Sequence, residues 1–174
     1  MSDLWIFGYG SLIWNPGFEH EEAAPARVFG AHRSLCIYSW VHRGTRARPG
    51  LVLGLDRGGS CRGVAFRVRD DKRTETLAYL RARELATDVY VETEVAMTMS
   101  DGSRVAALTY IADRTSQQYA GRLPIERQLA LVRHSAGQSG ANVDYVVNTV
   151  SHLRDMGVRD LLLERLAAHL DDSR

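Results

Sequence analysis

The hydrophobic spacing of this 174-residue chain changes period along its length, and the order of those periods constrains the fold more than any single motif. Residues 4–7 (L-W-I-F) read as a short strand. Residues 27–40 hold V-F-G-A-H-R-S-L-C-I-Y-S-W, which predicts two short strands around a turn. After the loop 42–50 comes the apolar stretch L-V-L-G-L (51–55). Gly58-Gly59 then reads as a hairpin, and R-G-V-A-F-R-V (62–68) alternates as a half-buried strand does. Residues 72–85 switch to helical spacing, with Leu77, Leu80 and Glu84 on one stripe. Alternation returns over 89–99, turns at Asp101-Gly102 and resumes over 105–112, the pattern of a tight hairpin. The last third is helical. Pro124 opens one helix at a favoured first-turn position, Asn142 is a candidate cap of a second, and 158–170 forms a third. Strands first, one helix among them and helices last is not the regular β-α-β alternation of a doubly wound sheet. The expected class is α+β, with a small antiparallel or mixed sheet able to close into a β-barrel flanked by helices.

The length suits one domain with a real core, and no repeat or linker divides it, so a single domain over 1–174 is expected. A formal net charge of +1 provides no field that would call for nucleic acid or a membrane surface. Cys36 and Cys61 are too far apart for a disulfide scaffold or a C-x-x-C pair, which favours reduced thiols. Asp3 stands where a signal peptide would carry basic residues, and no apolar run reaches membrane-spanning length, so the expected location is cytoplasmic. The six histidines are too scattered for a metal-ligand pair, and neither metal nor cofactor is expected.

The first apolar run ends abruptly at Gly8-Tyr9-Gly10-Ser11. A dinucleotide fingerprint fails here, because Ile13 stands at the third glycine and Trp14-Asn15-Pro16-Gly17 prevents a long helix. Ile13 also breaks the G-x-S-x-G nucleophile elbow, which makes Ser11 a weak nucleophile candidate. What remains is a loop whose backbone N–H groups can hold a ligand, or a plain strand exit.

Glu84 is the carboxylate to which the pattern points. Its stripe turns it towards the core, and a helix C-terminus disfavours negative charge, so both effects would raise its pKa. The alternative is an exposed glutamate paired with Arg81. Glu92 and Glu94 look like a solvated strand face, and Glu126 sits in a helix's first turn. The 42–50 loop carries Arg43, Arg46 and Arg48, either solvated or a site for a small acidic ligand.

F-G-Y-G-S-L-I-W-N-P-G-F, R-G-T-R-A-R-P-G-L-V-L-G-L, G-V-A-F-R-V and R-E-L-A-T-D-V-Y strongly resemble the ChaC-type, glutathione-specific γ-glutamylcyclotransferases. Y-A-G-R-L-P-I and S-G-A-N-V-D-Y-V resemble that family's C-terminal segments. The resemblance spans almost the whole chain in order. It implies a small β-barrel flanked by helices and a reaction that releases 5-oxoproline from γ-glutamyl compounds, with Cys-Gly as the other product from glutathione. It also implies that Tyr9, Gly10, Ser11 and Leu12 hold the γ-glutamyl group and that Glu84 is the catalytic carboxylate. Arg43, in its basic loop, would meet the glycine carboxylate, and Tyr119 would lie beside the substrate. Asp88 stands where a glycine is expected, and Arg46 where relatives often carry proline. Two alternatives stay open at this point: other γ-glutamyl peptides or amines as substrate, and a non-catalytic γ-glutamyl-binding module.

Overall fold

A computed structural model of the protein describes residues 3–172. In chain order the elements are β1 (Leu4–Gly8), β2 (Glu22–Ser39), β3 (Gly50–Val68), α1 (Arg73–Glu84), β4 (Tyr90–Met99), β5 (Arg104–Ala112), α2 (Ile125–Arg133), the two-residue strands β6 (Ala136–Gly137) and β7 (Gly140–Ala141), α3 (Asn142–Asp155) and α4 (Leu161–Asp171). They form two compact units. The first holds residues up to Ser34 together with Gly54–Ser116, and the second holds Leu35–Leu53 together with the chain from Gln117 onwards.

The first unit contains a closed barrel in the order β1-β3-β2-β4-β5. β1 lies antiparallel to β3, from Leu4 opposite Val68 to Gly8 opposite Val64, and parallel to β5 at Ile6 opposite Leu108. β4 and β5 form the expected hairpin from Tyr90–Ala112 to Thr98–Arg104, with Gly102 at φ 84° in its turn. Ile6, Phe7, Val28, Leu55, Ala65, Phe66, Val68 and Met97 are all buried within this unit. The fold is the α+β barrel with flanking helices that the order of periods predicts.

Two local expectations are overturned. Residues 27–40 are not two strands around a turn, and Gly58-Gly59 is not a hairpin: β2 and β3 are each continuous. Gly30 (φ 84°), Gly58 (φ 98°) and Gly59 (φ 71°) bend the two strands, and a Cβ on Gly59 would lie 3.4 Å from the Cβ of His32 on β2. Glycines that look like turn signals in sequence here let long strands curve into a barrel. Gly63 serves close approach instead, since a Cβ there would sit 2.2 Å from the Gly8 carbonyl oxygen.

In the second unit α3 is attached to the start of β3 by side-chain bonds. Asn142 is fully buried; its Oδ1 accepts from the Leu51 N–H at 2.7 Å and its Nδ2 donates to the Leu51 carbonyl at 2.8 Å. Asn142 is therefore the first residue of α3 and a mimic of a strand partner, not the cap; Ala141 occupies the cap position. Tyr145, one turn on, accepts from the Leu53 N–H at 2.9 Å. Pro124 likewise precedes α2 in extended conformation (ψ 152°), and its carbonyl accepts the first helical N–H bonds. α4 is capped by Asp160, whose side chain accepts from the Leu163 N–H. Cys36 and Cys61 are both buried.

Candidate active site

The strand β1 delivers the chain into residues 9–15, wound as consecutive turns: the Ile13 N–H bonds the Gly10 carbonyl at 2.9 Å and the Asn15 N–H bonds the Ser11 carbonyl at 2.8 Å. Tyr9 and Leu12 are buried while Ser11 is exposed, so the loop is anchored at both flanks and presents its middle. Arg33 fixes the start, donating from Nε to the Tyr9 carbonyl at 2.6 Å. A Cβ on Gly8 would press the Leu12 Cβ at 3.2 Å, so the loop folds back tightly on the strand that leads to it.

Glu84 is the last residue of α1. The helix packs through Thr76 and Leu80, and the same stripe continues to Glu84, whose side chain is 16% exposed. Burial pushes its carboxyl above the ordinary glutamate value, and the neighbouring Arg83 opposes that to a smaller extent. The exposed alternative, pairing with Arg81, does not hold. Arg81 is instead committed to Glu92 on β4 through two bonds, Nε to Oε2 at 2.9 Å and the second donor to Oε1 at 2.8 Å.

Glu92 is consequently ion-paired and half-buried, which corrects its reading as part of a solvated strand face; Glu94 is exposed, as expected. It lies opposite Tyr110 on β5, and the buried Tyr110 hydroxyl donates to its Oε2 at 3.1 Å. The Arg81 bonds hold the Glu92 carboxyl below its usual range. Burial, then Glu92 and Glu84, raise the Tyr110 phenol, so it stays a neutral donor at physiological pH.

The loop and the carboxylate are joined by Arg83. Its guanidinium donates to the Ser11 Oγ at 3.0 Å, the Asn15 carbonyl at 2.7 Å, the Pro16 carbonyl at 3.3 Å and the Tyr79 hydroxyl at 3.1 Å. Its Nε also lies 3.4 Å from the Glu84 Oε1. Of the residues singled out from sequence, the structure thus brings Ser11 and Glu84 onto one guanidinium. Arg43 and Tyr119 belong to the second unit. Arg43 stacks over the Tyr145 ring at 5.5 Å and donates to the Ala141 carbonyl at 3.2 Å, and Tyr119 bridges Ile37 on β2. In the same unit Arg46 covers the Trp40 ring at 4.2 Å, and in the first Asp88 is exposed.

Sequence reasoning passed over Arg83, Arg81, Glu92 and Tyr110 as working residues. For Arg83 a signal existed in its adjacency to Glu84. For Glu92 and Tyr110 the signal was their opposition across a hairpin centred on Asp101-Gly102, from which the register follows.

The family described as ChaC-like protein matches residues 4–173. A glutathione-specific gamma-glutamylcyclotransferase of Escherichia coli (strain K12) is 33% identical over 157 residues, covering 90% of this chain and 68% of that protein. Glutathione-specific gamma-glutamylcyclotransferase 1 of Homo sapiens is 33% identical over 174 residues, covering 97% and 77%. Among solved structures, a gamma glutamyl cyclotransferase specific to glutathione from yeast matches with a TM-score of 0.88, over 100% of this chain and 98% of that one, at 22% identity. That last likeness is one of fold.

Proposed function

The chain belongs to the ChaC-like family, and from that premise we propose that it is a γ-glutamylcyclotransferase that cleaves glutathione into 5-oxoproline and Cys-Gly. The observation that carries this reading is a desolvated carboxylate at the end of α1, linked through Arg83 to the loop that follows β1.

The chemistry needs no nucleophile from the protein. The α-amino group of the γ-glutamyl moiety attacks its own γ-carbonyl carbon, a five-membered ring closes, the γ-amide C–N bond breaks, and the amine of Cys-Gly leaves. The α-ammonium must give up two protons to become the ring N–H, and the departing nitrogen takes up one to leave as an amine and a second to become the ammonium of Cys-Gly, so protons are both removed and delivered. Glu84 does both in turn, and a carboxyl whose pKa is raised by burial is suited to that exchange. The N–H groups of residues 9–12 bind the substrate carboxylate or the developing oxyanion, where one lost donor in comparable sites costs about 3 kcal/mol. Holding the amine against the carbonyl supplies about 7 kcal/mol or more of the barrier reduction. Two buried thiols fit a reducing compartment, and the cytoplasm is the location assigned. Among the described residues no helix is long and apolar enough to cross a membrane.

The direct test is incubation of the purified protein with glutathione, with 5-oxoproline and Cys-Gly followed by mass spectrometry. Stoichiometric appearance of both is expected; inertness towards glutathione and γ-glutamyl dipeptides would sink the reading. The pH profile gives a second test. If Glu84 must be ionised to accept a proton, kcat/KM falls on acidification through its folded-state pKa, which burial places above the ordinary glutamate value. An acid limb at the ordinary value would remove Glu84 from that role.

Arg83→Gln should loosen the loop, because it removes charge-assisted bonds to Ser11, Asn15 and Pro16. A rise in KM of about tenfold is expected from the loss of bonds of this kind. The fall in kcat should be smaller, and Arg83→Lys should recover part of the loss. Unchanged KM in Arg83→Gln would show that the loop holds its shape without the clamp.

A further inference from the structure

Glu84 has an arginine immediately before it and another one helical turn back, yet neither guanidinium is turned onto it as a two-point partner. Arg83 directs its donors at the Ser11 Oγ, the Asn15 and Pro16 carbonyls and the Tyr79 hydroxyl, and its ion pair to Glu84 runs from Nε at 3.4 Å. Arg81 sits three residues before Glu84, a spacing at which opposite charges on a helix meet readily. Its side chain is 53% exposed and would be free to swing, but both of its bonding edges are taken by Glu92. Glu92 is itself held, with 22% exposure and the Tyr110 hydroxyl on its Oε2.

We propose that Glu92 is a positioning residue for Glu84: it grips Arg81 at two points from β4 and so keeps that guanidinium off the carboxylate at the end of α1. The inference rests on Glu84 being the proton carrier of the proposed reaction. Arg83 lies beside Glu84, Tyr110 of β5 feels its charge, and Arg81, three residues before it on the same helix, is bonded to Glu92 of β4. With Arg81 engaged elsewhere, burial outweighs the single contact to Arg83, in the direction the carboxyl is shifted. A fully paired Glu84 would be a permanently ionised anion, poor at giving a proton back to the leaving amine.

The test is a carbon-13 titration of the Glu84 side-chain carboxyl, beside the pH profile of kcat/KM, in the parent, Glu92→Gln and the Glu92→Gln/Arg81→Gln double variant. Glutamine keeps an acceptor for the Tyr110 hydroxyl but loses its charge. Freed Arg81 should then lower the Glu84 titration by about one pH unit, carrying the acid limb with it. The double variant should return both to parent-like positions, which a merely structural role for Glu92 would not produce. A Glu92→Gln titration equal to that of the parent, or a double variant that stays displaced, overturns the proposal. In the parent itself, the Arg81 Nε–H should show Overhauser contacts to Glu92 and not to Glu84, and the reverse overturns it whether or not Glu92→Gln folds. A titration that shifts while turnover does not would keep the hold on Arg81 and remove Glu84 from the chemistry, separating this inference from the reading on which it rests.

Discussion

Replacing Glu84 with glutamine is expected to cut 5-oxoproline release by roughly 100- to 10,000-fold, the range for a positioned proton-transfer group. Glutamine fills the same space and can still accept a hydrogen bond, but it cannot take a proton from the α-ammonium. The substrate still binds, because the loop at residues 9–12 and its Arg83 clamp are untouched. The loss should therefore appear in kcat with KM nearly constant. Stability moves the other way. A carboxyl whose folded-state pKa is raised binds its proton more tightly in the native chain than in the unfolded one. Its effect on stability is thus absent at low pH and becomes a cost as pH rises from the unfolded-state value through the folded-state one. Above the folded-state value that cost is fully present, and glutamine removes it. Thermal unfolding at pH 7 should find Glu84→Gln at least as stable as the parent, which doubles as the control for folding. Retained turnover in a folded variant would place the proton transfer elsewhere.

The largest effect on stability is expected at Asn142. Its side chain satisfies both backbone groups of Leu51 inside the second unit, and both residues are fully buried. Asn142→Leu keeps the branched shape, with some added bulk, but it leaves a buried N–H and a buried carbonyl without those bonds. At about 1–3 kcal/mol for each orphaned group, the loss should be about 3 kcal/mol or more. For a chain of this size that corresponds to a fall in Tm on the order of 10 °C. Denaturant unfolding, with m checked for constancy, measures it. A loss under about 1 kcal/mol would mean that the start of β3 satisfies those groups by another route.

The local chemistry of each segment was legible wherever it depends on neighbours in the chain. The β4–β5 hairpin follows from Asp101-Gly102 between alternating runs, and α1 follows from the spacing of Leu77, Leu80 and Glu84. The barrel's curvature was not legible in the same way, because Gly30 and Gly58-Gly59 carry the same local preference for positive φ in a turn and in a bent strand. Only the pairing partners distinguish those cases. Asn142 shows the same limit. An asparagine before a helical run has the composition of a cap, and only the approach of β3 makes its amide a strand partner.

For the candidate site, the sequence alone determined which residues are present and on what elements they ride: a glycine-bearing loop after the first strand, and a glutamate at the end of a helix on its apolar stripe. Those depend on backbone preference and side-chain period, which act over a few residues. The tertiary structure alone decided the electrostatic condition of that glutamate. Arg81 is three residues from Glu84 but eleven from Glu92, and nothing in that spacing says which carboxylate it will take. The choice belongs to the β4–β5 hairpin, which puts Glu92 and the Tyr110 hydroxyl within reach of the helix. Charges respond to distance in space and to burial, and both exist only once strands far apart in the chain have been brought together.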